Sequence, residues 1–539
     1  MHRDYRTLGH FRLDECALDR LDEKMSVFNR RTFIAGSTVA PFVLSLSACA
    51  KRQATSDVLR VGMNGPPDSL DPMKAEFAAS ALLFRQFWMP VVGYGTNATA
   101  APAMAMAWEG SNGYRTWTFK ITPGLTWSDG RAITSSDIVD SLRYSADKKT
   151  AYADASELYM IAGYQDCVVN GKDPNTIGVS APDPETVVIE LNVADAEFWS
   201  RMQEFYPVPM HAIAANGVTW TEVEKIVVSG PYKPVERTPT RIVLDNNPRG
   251  GWASGMPRQI MVEAIEDSAT RLRMFQSGDL DLAQDPPLLR AKELAQEFGT
   301  GYQRFPAPRL VYASFNTKKP QLQDPAIRRA LAMAIDRDVI ANSVMRGSVE
   351  AAGRLVRGQA QPKYDPTGAK EILAAKGFNA TNPLRFELLV PKDDRERAAI
   401  QMVDMWKQVG VEVTMFAADS SAIVARLNAF DFDAAVVRID KGTKSSPIDL
   451  MASWGAGGTA YSHQWKDPAF DKALSDARAL ADADARLRKT LEAEKILTDA
   501  TPVTGIWFFP SAWLVNKRIE GGIAGMPLVI WTTLKIKQS

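Results

Sequence analysis

Apolar residues recur with a helical period in the second half of the chain. After Asp324 and Pro325, apolar side chains fall at i, i+3, i+4, i+7 and i+8 on one helix face, at Ile327, Ala330, Leu331, Ala334 and Ile335. An aspartate before a proline is typical of a helix start, because the carboxylate caps free backbone N–H groups and proline fits the first turn. The same pattern predicts further helices at 336–347, 365–377 and 395–409, with glycine marking each end.

Alternating or short continuous apolar runs predict strands elsewhere in the chain. The predicted strands are 58–62, 116–121, 186–191, 241–244, 259–264 and 411–415. Helices alternate with strands over 324–500, and this order is typical of an α/β domain.

An apolar run near the N-terminus has the order of an export signal. Arg30 and Arg31 precede about 17 mildly apolar residues, which is shorter than the roughly 20 that a bilayer core needs. A basic start, an apolar middle and small residues at the end predict an export signal at 25–50, and Arg-Arg-Thr-Phe-Ile resembles the twin-arginine type. Residues 1–24 are too acidic for such a signal, so we expect Met25 to be the true start.

The end of this signal fits two processing routes. Leu-Ser-Ala-Cys at 46–49 resembles a lipobox, in which Cys49 is acylated and becomes the new N-terminus. Ala48-Cys49-Ala50 equally fits a small-x-small site cleaved after Ala50. Cys49 is therefore a candidate lipidation site, and the soluble form stays open as the alternative.

Composition narrows the class of protein. The 539 residues include 63 basic and 63 acidic side chains, so no net field attracts nucleic acid or an anionic membrane, and we expect no nucleic-acid partner. The length suits two or three domains, and 45% hydrophobic with 23% charged residues is ordinary for a globular protein.

Cysteines and histidines are few and scattered. Cys167 stands alone beyond the signal, so no intramolecular disulfide is expected. His211 and His463 are isolated, and no Cys/His cluster has metal-ligand spacing, so we expect neither a metal nor another cofactor. No Gly-x-Ser-x-Gly, His-Glu-x-x-His or phosphate-binding glycine loop occurs, which argues against the alternative of an exported hydrolase.

Five stretches, in order, resemble one family. They are LRVGMNGPPDSLDP at 59–72, WSDGRAITSSDIVDSLRYS at 127–145, SGPYKPVE at 229–236, SGDLDLA at 277–283 and FNTKKPQLQDPAIRRALAMAIDRDVI at 315–340. Together they resemble the peptide/nickel class, family 5, of substrate-binding proteins of ABC importers, which includes oligopeptide- and dipeptide-binding proteins. The resemblance covers nearly the whole chain after the signal.

The resemblance implies a fold and a division into domains. The fold is a two-lobed, periplasmic-binding-protein-like α/β fold of the large three-domain type (class II, cluster C), with a hinge and a ligand cleft between the lobes. Domain I is expected at 57–96, 226–314 and 501–539, domain II at 97–225 and domain III at 315–500.

It also implies a function. The expected protein is no enzyme but a monomeric receptor in the periplasm or at the outer face of the membrane. It would bind a peptide or peptide-like solute and deliver it to the permease subunits of an ABC importer at the inner membrane. Two alternatives stay open: a non-peptide zwitterionic or anionic ligand, opine-like or sugar-phosphate-like, and a sensor that passes its signal to a membrane kinase.

Asp440 is the leading candidate site residue. Val-Val-Arg-Ile-Asp at 436–440 matches the family's Gly-Trp-x-x-Asp, whose aspartate pairs with the ligand's ammonium group, but Val437 replaces the tryptophan. Arg438, Lys441 and Lys444 surround the acid with positive charge. Either Asp440 is held in an internal ion pair, or the ligand also carries an anionic group.

Other candidates have weaker support. Trp454 is either a platform for a flat ligand group or a core residue, and Arg354, like Arg357, faces the cleft mouth or only solvent. The remaining candidates lie where the family's loops approach ligand, although short polar side chains also satisfy turns; they are Asp68, Ser69 and Asn316.

Overall fold

The computed structural model describes residues 57–442, 446–456, 458 and 465–537. The predicted export signal at 25–50 with Arg30, Arg31 and Cys49, the upstream residues 1–24, and Lys444 lie outside the described residues. Within the described ranges, no helix combines the length and apolar character that a membrane crossing needs.

The described strands are short and spread over the chain. In chain order they are β1 Val58–Met63, β2 Gly93–Tyr94, β3 Ala100–Ala101, β4 Ala105–Ser111, β5 Thr116–Ile121, β6 Val179–Asp183, β7 Thr186–Glu190, β8 Tyr232–Arg237, β9 Arg241–Asn246, β10 Gln259–Ala264, β11 Leu282–Gln284, β12 Tyr302–Phe305, β13 Arg309–Phe315, β14 Glu350–Ala351, β15 Leu384–Pro391, β16 Val411–Ala418, β17 Ala434–Asp440, β18 Val503–Phe508, β19 Ser511–Val515, β20 Ile519–Gly521 and β21 Leu534–Ile536.

The described α-helices concentrate in the second half. They are α1 Ala78–Phe87, α2 Ser135–Ala146, α3 Tyr164–Asn170, α4 Met210–Asn216, α5 Ser268–Ser277, α6 Ala291–Phe298, α7 Pro325–Met333, α8 Arg337–Val339, α9 Pro366–Ala375, α10 Asp394–Gln408, α11 Ser420–Asn428, α12 Pro447–Met451, α13 Pro468–Arg478 and α14 Ala483–Ala500.

The element predictions are confirmed, with one difference. Every predicted strand is present, α7 and α9 begin after the expected Asp324 and Asp365, and α10 covers the helix predicted at 395–409. The helix predicted at 336–347 is instead the single turn α8, which continues as a π-helix over Ile340–Val344. Apolar periodicity alone does not distinguish a π-helix from an α-helix over so few residues.

Three larger sheets organise the described strands. The order is β12-β19-β11-β1-β10-β9-β8 in the seven-stranded sheet, β14-β18-β13-β17-β15-β16 in the six-stranded sheet and β4-β5-β7-β6 in the four-stranded sheet. The first two sheets are mixed, since β10 is parallel to β1 but antiparallel to β9, and β17 is parallel to β15 but antiparallel to β13. Helices and mixed sheets together make this an α/β fold.

The six-stranded sheet separates two apolar clusters. Alternate residues of β13 and β17 face opposite sides, so Val311 and Val436 join the cluster under α7 and α10, whereas Tyr312 and Val437 join the cluster under α11–α14. The sheet is therefore covered on both faces, and Asp440 is the last residue of β17.

The domain boundaries stay a prediction. Strands β13 and β18 belong to the six-stranded sheet, although they lie on the domain I side of the predicted boundaries at 314/315 and 500/501.

Two buried arginines tie the helix pair α7–α8 to β18 and the turn before it. Arg328 donates from Nε to the carbonyl of Thr501 at 3.0 Å. Arg337 donates from Nε to the carbonyl of Gly505 at 2.8 Å and from Nη2 to Oγ1 of Thr504 at 2.7 Å. Burial lowers the pKa of both guanidinium groups to about 10. The segment that carries the strongest family resemblance thus fixes the strand beside β13.

Candidate functional site

A cavity of about 250 Å³ lies where the seven-stranded and six-stranded sheets are joined. Its walls come from several separate parts of the chain, namely residues 97–98, the link 306–308, residues 355–357, Gly442, the start of α12, Phe508 and residues 525–527. Most of these residues are apolar or proline. No single sequence motif spans them, so the cavity could not be predicted from the sequence.

Arg357 is the one charged side chain among the described lining residues. Its guanidinium lies over the Phe508 ring, 4.4 Å from the ring centroid, and its Nε is 3.2 Å from Oε2 of Glu350. Burial lowers the pKa of Arg357, and Glu350 opposes this shift. This loop was expected to face either the cleft mouth or only solvent, and the structure places Arg357 at the cavity.

Asp440 ends β17 with both carboxylate oxygens engaged. Register pairs it with Arg309 of β13, whose Nε is 2.8 Å from Oδ2. The backbone N–H of Gly442 donates to Oδ1 at 2.9 Å. Because Gly442 lines the cavity, this hydrogen bond to Asp440 helps to fix the position of the cavity wall.

Arg309 has a second acidic neighbour. Its Nη1 lies 3.7 Å from Oδ2 of Asp285, to which Asn64 also donates. Burial alone would lower the pKa of Arg309, but Asp440 and Asp285 outweigh it and raise the pKa. The sequence pointed to Arg438 and Lys441 as partners of Asp440, whereas the structure supplies Arg309.

Arg438 and Trp454 lie apart from the cavity lining. Arg438 shares a sheet face with Asp440, and its guanidinium lies 5.9 Å from the Phe509 ring centroid. Trp454 is 2% exposed and packs edge-on against Tyr312 in the cluster under α11–α14. This burial matches the interpretation of Trp454 as a core residue and not as a platform for a ligand.

Asp68 and Ser69 have hydrogen-bond partners within the protein. Asp68 accepts the backbone N–H of Glu76 at 2.7 Å and the hydroxyl of Ser80 at 2.5 Å. Ser69 Oγ accepts the backbone N–H of Asp71 at 3.0 Å. Ser69 thus satisfies its own turn, whereas Asp68 bonds to the start of α1. A direct role of either residue in ligand binding stays a prediction.

Asn316 and Arg354 also have internal partners. Buried Asn316 donates from Nδ2 to the carbonyl of Phe432 at 2.9 Å. Half-buried Arg354 donates from Nη1 to Oγ1 of Thr498 at 3.3 Å. A direct role of either residue in ligand binding stays a prediction.

Charged side chains join the 97–225 and 315–500 segments. Arg201 Nη2 lies 2.6 Å from Oδ1 of Asp449, and both side chains are buried. Arg201 Nη1 also lies 3.2 Å from Oε2 of Glu157, which has Lys441 at 3.8 Å on its other oxygen. Burial would lower the pKa of Arg201, but the two acids reverse this and raise it.

Flanking pairs extend this contact. Arg478 Nη1 is 3.2 Å from Oδ2 of Asp195, and Arg486 Nη2 is 2.9 Å from Oε1 of Glu197. The hydroxyl of Ser446 donates to Oε2 of Glu197 at 2.7 Å. We call these contacts and those of Arg201 the cross-segment ion pairs. Sequence reasoning missed them, because charged residues so distant in sequence carry no pairing signal.

Groups suited to catalysis or metal binding are sparse. In the part of the chain that the structure describes, no cluster of three or more His, Cys, Asp or Glu is placed to hold a metal ion. His211 pairs with Asp129 at 2.8 Å, and Cys167 is a buried free thiol that donates to the carbonyl of Asp173.

The chain matches one family model over most of its length. The model described as "Bacterial extracellular solute-binding proteins, family 5 Middle" matches residues 99–461.

Individual relatives align end to end. The chain is 27% identical to the periplasmic oligopeptide-binding protein OppA of Salmonella typhimurium, over 94% of this chain and 98% of that protein. It is 28% identical to the "Probable deoxycholate-binding periplasmic protein YgiS" of Escherichia coli, over 88% and 91%. The crystal structure of Haemophilus influenzae OppA in complex with the peptide RPPGFSPFR superposes with a TM-score of 0.77 at 23% identity, over 89% of this chain and 99% of that one. The predicted periplasmic-binding-protein-like fold is thereby confirmed.

Proposed function

Because the chain belongs to the bacterial extracellular solute-binding proteins of family 5, we propose that it is a receptor that binds a peptide or peptide-like solute and delivers it to the permease of an ABC importer. The observation that carries this proposal is the end-to-end alignment with an oligopeptide-binding protein. The cavity between the two large sheets supports it, because closing lobes around a ligand needs an enclosed volume at their junction.

Binding rather than turnover is proposed. Native mass spectrometry of protein purified without refolding should detect a co-purified solute, and calorimetry should detect binding of short peptides. Peptides incubated with the protein should be recovered intact, and their cleavage above background would contradict a receptor role.

Asp440 is proposed to contact the ligand's ammonium group. Since its carboxylate already holds Arg309 and Gly442, the ligand would share or displace these partners. If the closed lobes exclude water from this contact, Asp440→Asn should weaken peptide binding by about 2 to 5 kcal/mol, because the ligand's cation is left without its charged partner. This is roughly 30- to several-thousand-fold in affinity. A loss below threefold in calorimetry would remove Asp440 from the site.

A non-peptide anionic or zwitterionic ligand is the second candidate function. The occupied carboxylate of Asp440 favours an anionic ligand, because a ligand without a cationic group leaves the Arg309 pair intact. N-acetylated peptides distinguish the two: if they bind as tightly as free peptides, no ammonium group is recognised.

Export is proposed from the N-terminal signal. Replacing Arg30 and Arg31 with lysine should leave the precursor inside the cell, and unchanged export would contradict the twin-arginine type. A fatty-acid probe tests acylation of Cys49. Uptake of labelled ligand in a strain lacking the chain distinguishes import from sensing, and light scattering should find a monomer.

A further inference from the structure

The cavity has a consistent chemistry along its walls. Prolines form part of the lining, and the buried side chains are aliphatic or aromatic. The buried apolar lining residues are Ala307, Leu355, Val356, Leu450, Phe508 and Met526. At about 250 Å³ the cavity is smaller than a pocket for a drug-sized molecule. It therefore suits one large side chain of a longer ligand.

No carboxylate stands among the described lining residues. The acids behind the walls are already engaged. Glu350 pairs with Arg357, and Oε1 of Glu494 accepts the backbone N–H groups of Leu355 and Val356 at 2.6 and 2.9 Å. Asp440 pairs with Arg309 and lies outside the cavity lining, where the proposed contact with the peptide's terminal ammonium group would leave it no free oxygen for a side chain in the cavity. An incoming ammonium or guanidinium would lose water without gaining a partner, and it would meet the positive charge of Arg357.

We propose, building on the proposed function, that this cavity receives one large uncharged side chain of the peptide and rejects lysine or arginine there, with Arg357 setting the charge preference. Apolar walls favour an aromatic or long aliphatic group through burial of its surface. An acidic side chain is tolerated, because the guanidinium of Arg357 can donate to a carboxylate.

A tripeptide scan tests the proposal on the unaltered protein. Tri-alanine is varied to Phe, Glu or Lys at each position in turn, and affinities are measured by calorimetry after bound solute has been removed by dialysis. At one position Phe should bind at least tenfold more tightly than Lys, with Glu between them. Equal affinities for Phe and Lys at every position would overturn the cavity inference and leave the receptor role standing. Absence of binding by every tripeptide would overturn both.

Two variants test the part played by Arg357. Arg357→Gln should reduce the penalty against Lys at that position at least threefold, because it removes the opposing charge. Arg357→Lys keeps the charge and should keep the penalty. Arg329→Gln, an exposed change on α7 outside the cavity lining, is the control. A profile for Arg357→Gln equal to that of the control would overturn the role of Arg357, and the scan on the unaltered protein decides the cavity's preference even if Arg357→Gln does not fold.

Discussion

Replacing Asp449 with asparagine removes one charge from a buried ion pair that joins the 97–225 and 315–500 segments. Arg201 and Asp449 are 4% and 6% exposed and lie 2.6 Å apart, so solvent screens their attraction poorly. Removing one partner of such a pair costs about 3 to 5 kcal/mol when the other charge is left alone.

Arg201 would not be left entirely alone. Glu157 stays 3.2 Å from its Nη1 and retains part of the compensation. We therefore expect a loss of about 2 to 3 kcal/mol for Asp449→Asn, below the full penalty. If the two segments separate when ligand leaves, this loss falls on the closed form and lowers ligand affinity roughly 30- to 160-fold. Arg201→Met removes the cation that lies between Asp449 and Glu157 and should cost more.

Small-angle scattering and calorimetry measure the two effects. Asp449→Asn should bind tripeptides more weakly, and at a tripeptide concentration that just saturates the unaltered protein it should have the larger radius of gyration. Asp499→Asn makes the same chemical change in an exposed pair with Lys495 and should alter neither property. If Asp449→Asn behaves like Asp499→Asn in both measurements, the cross-segment ion pairs do not hold the segments together.

Three further predictions concern stability. Burial raises the pKa of Glu494 above 4.5, because it disfavours the charged carboxylate. The stability that the protonated carboxyl group contributes is therefore fully present below the pKa of the unfolded state and is lost as pH rises through the pKa of the folded state. Glu494→Gln keeps the acceptor oxygen and should remove this pH dependence in urea unfolding. Gly525→Ala should lower the free energy of unfolding by about 2 kcal/mol or more, because φ is +73° and a Cβ would overlap Asn97. Gly113→Ala, also at positive φ but in open space, should cost less in the same thermal unfolding measurement. Arg337→Met should destabilise by about 3 kcal/mol, because several buried acceptors around β18 lose their donor; a change below 1 kcal/mol in denaturant unfolding would contradict this.

Local signals explain why the helices were predictable. The carboxylate of Asp324 accepts the backbone N–H of Ala326 at 2.8 Å, and the apolar stripe beginning at Ile327 is buried. Cap, proline and stripe all lie within a dozen residues, so the sequence contains the whole cause. The continuation after Asp336 was less predictable, since contacts from elsewhere in the fold decide between an α-turn and a π-turn.

The candidate site depended on pairings that no local signal encodes. Asp440 was found through its motif, but Arg309 becomes its partner only through the register of β13 and β17. Arg438 lies on the same sheet face as Asp440, but the sequence does not show that Arg309 lies directly opposite Asp440 on the neighbouring strand. The sequence around Trp454 likewise did not distinguish a tryptophan that contacts a ligand from one that packs in the core.

The chain passes between the seven-stranded and six-stranded sheets through two short links in its described part. One is 306–308, between β12 and β13, and the other is Phe509 with Pro510, between β18 and β19. Pro306, Pro308 and Pro510 have fixed φ angles, so any turning of one sheet against the other is confined to a few backbone torsions.

The link 306–308 is at the same time a wall of the cavity. A side chain seated there touches the very backbone around which the sheets would turn, so its bulk sets how far the turn can go. Ligands of different size would then stop the lobes at different angles.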